Sequence, residues 1–248
     1  MGFALKFAGE TLDDVATWDE PLEFKVGEEE FPRRHGSLVQ EVAFLRSRRI
    51  VLTGRVFKDD EATLKTYLED LKQTFIEKGR DRLQLRDDNR YLNAILSGFS
   101  TRYIAGQAAN RGAPFSLEFL ADDPFWYSDT EKTNAQDAIA SSPHTYSITN
   151  SGKAHTPPRI EIKAAGGDAT DVKLTNTTTG LFARFAGTIS NGQTLIINSA
   201  KRTVTNGAAN GLNDFTGSFW EFVAGVNNLQ YEGPTGVDVV VYWTERYV

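Results

Sequence analysis

Four adjacent aspartate pairs, Asp13-Asp14, Asp59-Asp60, Asp87-Asp88 and Asp122-Asp123, are the most concentrated acid–base groups in this 248-residue chain. Glycoside hydrolysis needs two carboxylates facing each other across a sugar, and sequence neighbours do not supply that geometry. Each doublet reads instead as a turn or a helix cap. His35, His144 and His155 lack the spacing of a helical metal pair, and each sits beside Gly, Pro or Thr in an expected loop. There is no cysteine, which removes disulfides, thiol catalysis and cysteine-based zinc sites together. Gly152-Lys153 lacks both the upstream glycine and the following Ser or Thr of a phosphate loop, and no dinucleotide or serine-hydrolase glycine motif occurs. The expectation is a protein that is no enzyme and uses no cofactor or metal.

What remains is binding chemistry. Arg46, Arg48 and Arg49 form the densest basic cluster, with Arg46 and Arg48 on one face of an expected strand. They are suited to meet the acidic run Glu28, Glu29 and Glu30 of a neighbouring copy. The alternative is solvated charge, since exposed pairs contribute only about 0–1 kcal/mol. Aromatics gather late in the chain at Phe219, Trp220, Phe222, Tyr231, Tyr242 and Trp243. Trp220, Tyr231 and Trp243 are the candidates for stacking on a sugar ring. The competing reading places these aromatics between two sheets, because aromatics at period two ordinarily mark an inner face.

The elements that would position these groups divide the chain in two. Residues before Asn150 carry 25 acids and 19 bases, whereas those from Asn150 onward carry 8 of each and are rich in Asn, Thr and Gly. Such a shift marks a domain boundary. The expected division is 1–127, a linker region at 128–146, and 147–248. No run approaches the ~18 apolar residues of a membrane span, so a soluble chain without membrane insertion is expected. The opening residues are too short and polar for a signal peptide and read as a strand. The net charge of −6 disfavours a general nucleic-acid binder.

In the first part, Leu5–Phe7, Leu22–Val26, Leu38–Phe44 and Arg49–Phe57 read as strands, the last as buried on both faces for part of its length. Leu64, Tyr67, Leu68, Leu71 and Phe75 form one helical face, capped by Asp59 or Asp60 and ended by Gly79. Arg82–Arg86 and Arg90–Tyr103 read as a long hairpin turning at Asp87-Asp88-Asn89, and Ala113–Leu120 as a further strand. Beyond the linker, about eight short strands follow with no helical pattern, as in a sandwich or jelly roll.

The ordered series of motifs resembles the distal tail protein (Dit) family of long-tailed, non-contractile bacteriophages. In the first part it comprises Arg34-His-Gly-Ser, Ser47-Arg-Arg-Ile-Val-Leu-Thr-Gly, the Leu64–Phe75 helix, the hairpin and the Asp-Pro-Phe-Trp exit at Asp123–Trp126. In the second it comprises Asn150-x-Gly-x-Ala-x-Thr-Pro-Pro, Leu174-Thr-Asn-Thr-Thr-Thr-Gly and the segment from Gly217 to Asn228. The resemblance implies a mostly β fold. An α+β, tail-tube-like domain of two packed sheets with one helix would be followed by an all-β, galectin-like sandwich. It implies a structural hub of the tail tip or baseplate, a hexameric ring joining the tail tube protein to a tail-associated tip protein. Phage DNA would pass through its central channel without specific binding. The long hairpin suits a subunit that adds strands to a shared ring, where intersubunit pairing satisfies edge groups. The implied location is the virion tail tip, after assembly in the host cytoplasm. The alternative is a carbohydrate-binding adhesin acting through the second domain, with receptor-binding proteins or host-surface carbohydrate as partners.

Overall fold

The computed structural model describes residues 3–7, 9–25, 28–30, 37–39, 44–85, 89–102 and 111–248. The chain divides into two compact units, Met1–Trp126 and Tyr127–Val248. It is mostly β, with antiparallel ladders in both units and one α-helix among the described residues.

The first unit runs through β1 (Phe3–Phe7), β2 (Glu10–Asp19), β3 (Phe24–Lys25), β4 (Glu28–Glu30), β5 (Ser37–Val39), β6 (Phe44–Leu45) and β7 (Arg48–Phe57). It continues with α1 (Glu61–Lys78), β8 (Arg80–Leu85), β9 (Arg90–Thr101) and β10 (Gly112–Ala121). Two short ladders pair β3 with β6 and β4 with β5. The six longer strands follow the order β10-β7-β2-β1-β8-β9, and β9 pairs again with β10. The packed layers are thus one sheet closed on itself, which leaves few unpaired edges. The β8–β9 hairpin closes its own barrel. Strand β9 pairs with β8 through Leu92–Ile95 and with β10 through Ile95–Thr101.

Helix α1 begins where Asp60 accepts the Thr63 amide at 2.7 Å, and it ends at Gly79, whose φ of +60° favours a residue without a Cβ. Its buried stripe is Leu64, Leu68, Leu71 and Phe75, with Tyr67 partly buried beside it. Phe75 packs edge-on against Phe7 at 5.3 Å between ring centres, and Phe7 meets Phe119 at 4.8 Å. The stripe therefore faces its own core.

Three expectations for this unit change. Strand β2 is a ten-residue element, and Asp13-Asp14 lie within it rather than in a turn. Two aspartates in succession conceal a strand from propensity arguments, but pairing with β1 on one side and β7 on the other specifies it. Strand β7 alternates, with Arg48, Ile50, Leu52 and Val56 inward, because only one face of the closed sheet meets the core. It is not buried on both faces. His35 and Asp87-Asp88 lie outside the described residues.

The chain then passes through β11 (Trp126–Ser128), β12 (Lys132–Gln136), β13 (His144–Asn150), β14 (Arg159–Ala164), β15 (Ala169–Asn176) and β16 (Leu181–Ile189). After these come β17 (Thr194–Asn198), β18 (Thr203–Asn206), β19 (Ala209–Asn210), β20 (Phe215–Gly217), β21 (Gly225–Glu232), β22 (Val237–Trp243) and β23 (Arg246–Tyr247). A six-stranded sheet, β12-β22-β14-β17-β18-β19, lies across one core from a five-stranded sheet, β13-β21-β15-β16-β20. Alternating residues supply that core, such as Val237, Val239, Val241 and Trp243 of β22 facing Leu174, Leu229 and Tyr231. Residues 128–146, expected as a linker, include β12 instead. Its five residues pair with Val239–Trp243, so a polar sequence serves as an edge strand that shows most of itself to water.

Candidate functional site

The three aromatics expected to meet sugar are all buried. Trp220 is 2% exposed, Tyr231 0% and Trp243 7%. Tyr231 and Trp243 fall in the inward phase of β21 and β22, and Trp220 and Trp243 both pack edge-on against Phe222. Tyr231 donates its hydroxyl to the Pro234 carbonyl at 2.9 Å, and burial pushes that hydroxyl up to about 12. A sugar cannot reach these faces, and the core reading replaces the sugar-platform reading for all three. Tyr242 points outward, but Arg159 covers its ring at 4.0 Å.

The expected interface charges separate. Arg48 is 3% exposed, because it shares the inward phase of β7 with Ile50 and Leu52. It donates to Glu20, and Trp126 donates its indole N–H to the same carboxylate at 2.6 Å. Arg48 is therefore an internal tie of the first unit, not a charge available to a neighbouring copy. Arg46 precedes β7, is exposed, and does not share a strand face with Arg48. Arg49 is outward and pairs with Glu118 at 3.1 Å. Glu28, Glu29 and Glu30 form β4 opposite Ser37–Val39.

Other singled-out groups have local partners. Asp122 pairs with Arg80, whose guanidinium holds the carboxyl below the usual aspartate range. Asp123 accepts the Phe125 amide at 3.2 Å. His144 meets Gln136 at 3.2 Å, and His155 lies 3.8 Å from Glu221. Among the described residues, no three His, Cys, Asp or Glu side chains gather as metal ligands.

The motifs that carried the family resemblance converge on a buried polar network in the sandwich. Asn150, Asn176 and Asn227 are each 0% exposed. Asn227 accepts the Val223 amide at 3.0 Å through Oδ1 and donates to the Val223 and Gly225 carbonyls at 2.9 and 3.1 Å. The same Oδ1 accepts from the Asn176 amide at 3.2 Å, and Asn176 in turn accepts the Thr178 amide at 3.1 Å. Asn150 donates to the Ala154 and Val223 carbonyls, each at 3.2 Å, and accepts the Gly152 amide at 3.1 Å. A Cβ on Gly152 would come within 2.6 Å of the Arg246 carbonyl oxygen, so only glycine allows that approach. These side chains satisfy loop backbone groups that burial would otherwise leave without partners. Their role is to fasten the loops 150–156, 176–180 and 223–228.

A concave site unrecognised in the sequence lies on the outer face of the five-stranded sheet. Asp171, Lys173, Phe182, Arg184, Glu232 and Gly233 line a cleft of ≈ 480 Å³. Cross-strand register places Lys173 between Glu232 and Arg184. Arg184 grips Asp171 through Nε and a terminal nitrogen at 2.6 and 2.8 Å, and Lys173 reaches Glu232 at 2.7 Å. The Arg184 guanidinium holds the Asp171 carboxyl below its usual range. Phe182 is 38% exposed, with the Lys173 ammonium 5.5 Å from its ring centre. The outward phase of Asp171-Val-Lys173 and Phe182-Ala-Arg184 was the available signal, but the strand pairing that joins them is not local.

A closed six-stranded sheet packed by one helix, followed by an antiparallel β-sandwich, is a two-unit, mostly β architecture with buried structural motifs. Comparison with known proteins places it. Residues 151–247 match the family described as Siphovirus-type tail component, C-terminal domain. The crystal structure of the SPP1 Dit (gp 19.1) protein is described as a paradigm of the hub adsorption apparatus in phages infecting Gram-positive bacteria. It superposes with a TM-score of 0.78 at 16% identity, covering 100% of both chains. Two structures of the phage p2 baseplate in its activated conformation also match, each with a TM-score of 0.47 at 10% identity. The one with Ca covers 100% of this chain and 99% of its counterpart, and the one with Sr covers 98% and 97%. No curated protein matches the sequence. The resemblance to distal tail proteins holds in both respects: the second unit carries the match to the phage tail-component family, and the whole chain has the Dit fold.

Proposed function

We propose that this protein is a structural, non-enzymatic hub of a phage tail tip or baseplate. The observation that carries the reading is the end-to-end likeness to SPP1 Dit, which covers both units of both chains with neither left over. In this role the first unit forms a six-membered ring on the tail tube protein, and its lower face receives a tail-associated tip protein. A cyclic ring uses a heterologous interface that closes on itself. The excess of acids before Asn150 suits a channel through which DNA moves without sticking. The second unit projects as a docking platform for receptor-binding proteins. The subunit is made and assembled in the host cytoplasm and resides in the virion.

The test is a mass measurement and particle imaging of the full chain at high concentration, alone and with its tube and tip proteins. The expected species is a ring of six times the 27.5 kDa chain mass. A strictly monomeric chain that binds neither partner sinks the proposal.

A further inference from the structure

We infer that the cleft lined by Asp171, Lys173, Phe182, Arg184 and Glu232 is a binding site for a neutral hexose unit of a glycan. The inference is independent of ring assembly.

The cleft's charge excludes polyanions as the natural occupant. Two carboxylates and two cations balance, and each is already paired within the cleft, so there is no net field to attract phosphate or sulfate. The pairing does not exhaust the groups. Arg184 uses Nε and one terminal nitrogen on Asp171, which leaves the other terminal nitrogen to donate. The Lys173 ammonium carries three N–H bonds and Glu232 receives one of them, and both carboxylates retain lone pairs. A sugar hydroxyl donates and accepts at once. Adjacent donor and acceptor groups held rigid by their own ion pairs match two neighbouring hydroxyls. Phe182 supplies what the C–H face of a pyranose requires, an aromatic ring open to solvent beside those polar groups.

The backbone supports a built site. The β15–β16 register shifts between Thr170 and Val172, and Asp171 at that bulge has a φ of +57°. A left-handed residue other than glycine is uncommon, and bulges beside sites re-aim side chains. Here the bulge turns the Asp171 carboxylate onto the Arg184 fork. At the other wall, Gly233 lines the cleft without a side chain, and a Cβ there would come 2.6 Å from the Tyr231 hydroxyl.

The experiment titrates the isotope-labelled full chain with the methyl glycosides of glucose, galactose, mannose and N-acetylglucosamine, to about 50 mM, while recording amide NMR spectra. At least one glycoside is expected to shift amides of Val172–Leu174, Leu181–Phe185 and Gln230–Gly233, saturating with a Kd on the order of 1–10 mM. Phe182→Ala and Asp171→Asn are each expected to weaken that binding about tenfold or more, while Leu212→Ala, exposed outside the cleft, leaves it unchanged. Phe182 lies outside the core, so its variant keeps the wild-type spectrum elsewhere even if the bulge variant does not. The inference is overturned if none of these glycosides shifts the cleft amides, or if the shifts fall elsewhere. It is equally overturned if both variants bind like the wild type, or if only dextran sulfate binds and does so more tightly at low salt. Cleft amides that respond only to protein concentration would assign the surface to another copy of this chain and overturn it too. Ring assembly is read by mass and this site by titration, so either reading can fail alone.

Discussion

Replacing Asn227 by alanine should destabilise the second unit far more than loss of an ordinary polar side chain. The Asn227 amide makes two donor bonds, to Val223 and Gly225, and its oxygen accepts from the Val223 N–H and the Asn176 amide. Alanine leaves those partners without it in a region where Asn176 and residue 227 itself are 0% exposed. Each buried polar group left unsatisfied costs about 1–3 kcal/mol. Val223 is only partly buried, so water can recover part of its share. Counting the Asn176 amide in full and Val223 in part gives about 2–4 kcal/mol. The assay is urea unfolding of the full chain followed by hydrogen exchange of peptides from residues 144–248, which isolates this unit from the first. The Asn176→Ala/Asn227→Ala double variant adds a sharper test. It removes the orphaned Asn176 amide, so its cost should fall short of the summed single costs by about 0.5–1.5 kcal/mol. A single-variant cost below about 1 kcal/mol refutes the bracket argument, and so does strict additivity.

Three further outcomes follow from the geometry. Phe75→Ala removes the ring packed on Phe7 and should cost the first unit about 3–5 kcal/mol, read from exchange of peptides in β1 and β10. Gly152→Ala should cost about 1–3 kcal/mol, because its Cβ meets the fixed Arg246 carbonyl oxygen rather than a movable side chain, whereas Gly192→Ala adds no contact and pays only for its φ of +83°. The Asp122 carboxyl should titrate below the ordinary aspartate value, by carboxyl NMR, and Arg80→Ala should return it to that value. Because this folded-state value is depressed, the Arg80–Asp122 contribution is present above the unfolded aspartate pKa and is lost as pH falls through the folded value. With both side chains more than half exposed, the effect on stability is small.

Helix α1 was legible residue by residue. Its stripe, its Asp60 cap and its Gly79 stop are local rules of period, hydrogen bonding and φ, and each holds. The outward and inward phases of β22 and β14 were equally accessible from alternation. Strand β12 was not, because a polar edge strand differs from a linker only through the neighbour that pairs with it. Nor was β2, whose aspartates oppose a strand locally while β1 and β7 enforce one. The aromatic cluster was visible, but whether Trp220 faces a sugar or a core depends on which sheet lies opposite.

The sequence by itself determined a mostly β protein with one helix, no cysteine chemistry, and an ordered set of motifs resembling distal tail proteins. Those properties reside in composition and in local periodicity, which a chain carries before it folds. Only the tertiary structure decided that the Asn150, Asn176 and Asn227 motifs are internal brackets, that Arg48 is buried against Glu20, and that Asp171, Lys173, Phe182, Arg184 and Glu232 share one cleft. The reason is sequence separation. The cleft joins residues up to 61 positions apart, Asp171 to Glu232, through the pairing of β16 with β15 and of β15 with β21. Register between distant strands follows from the shared core they bury, not from any one segment.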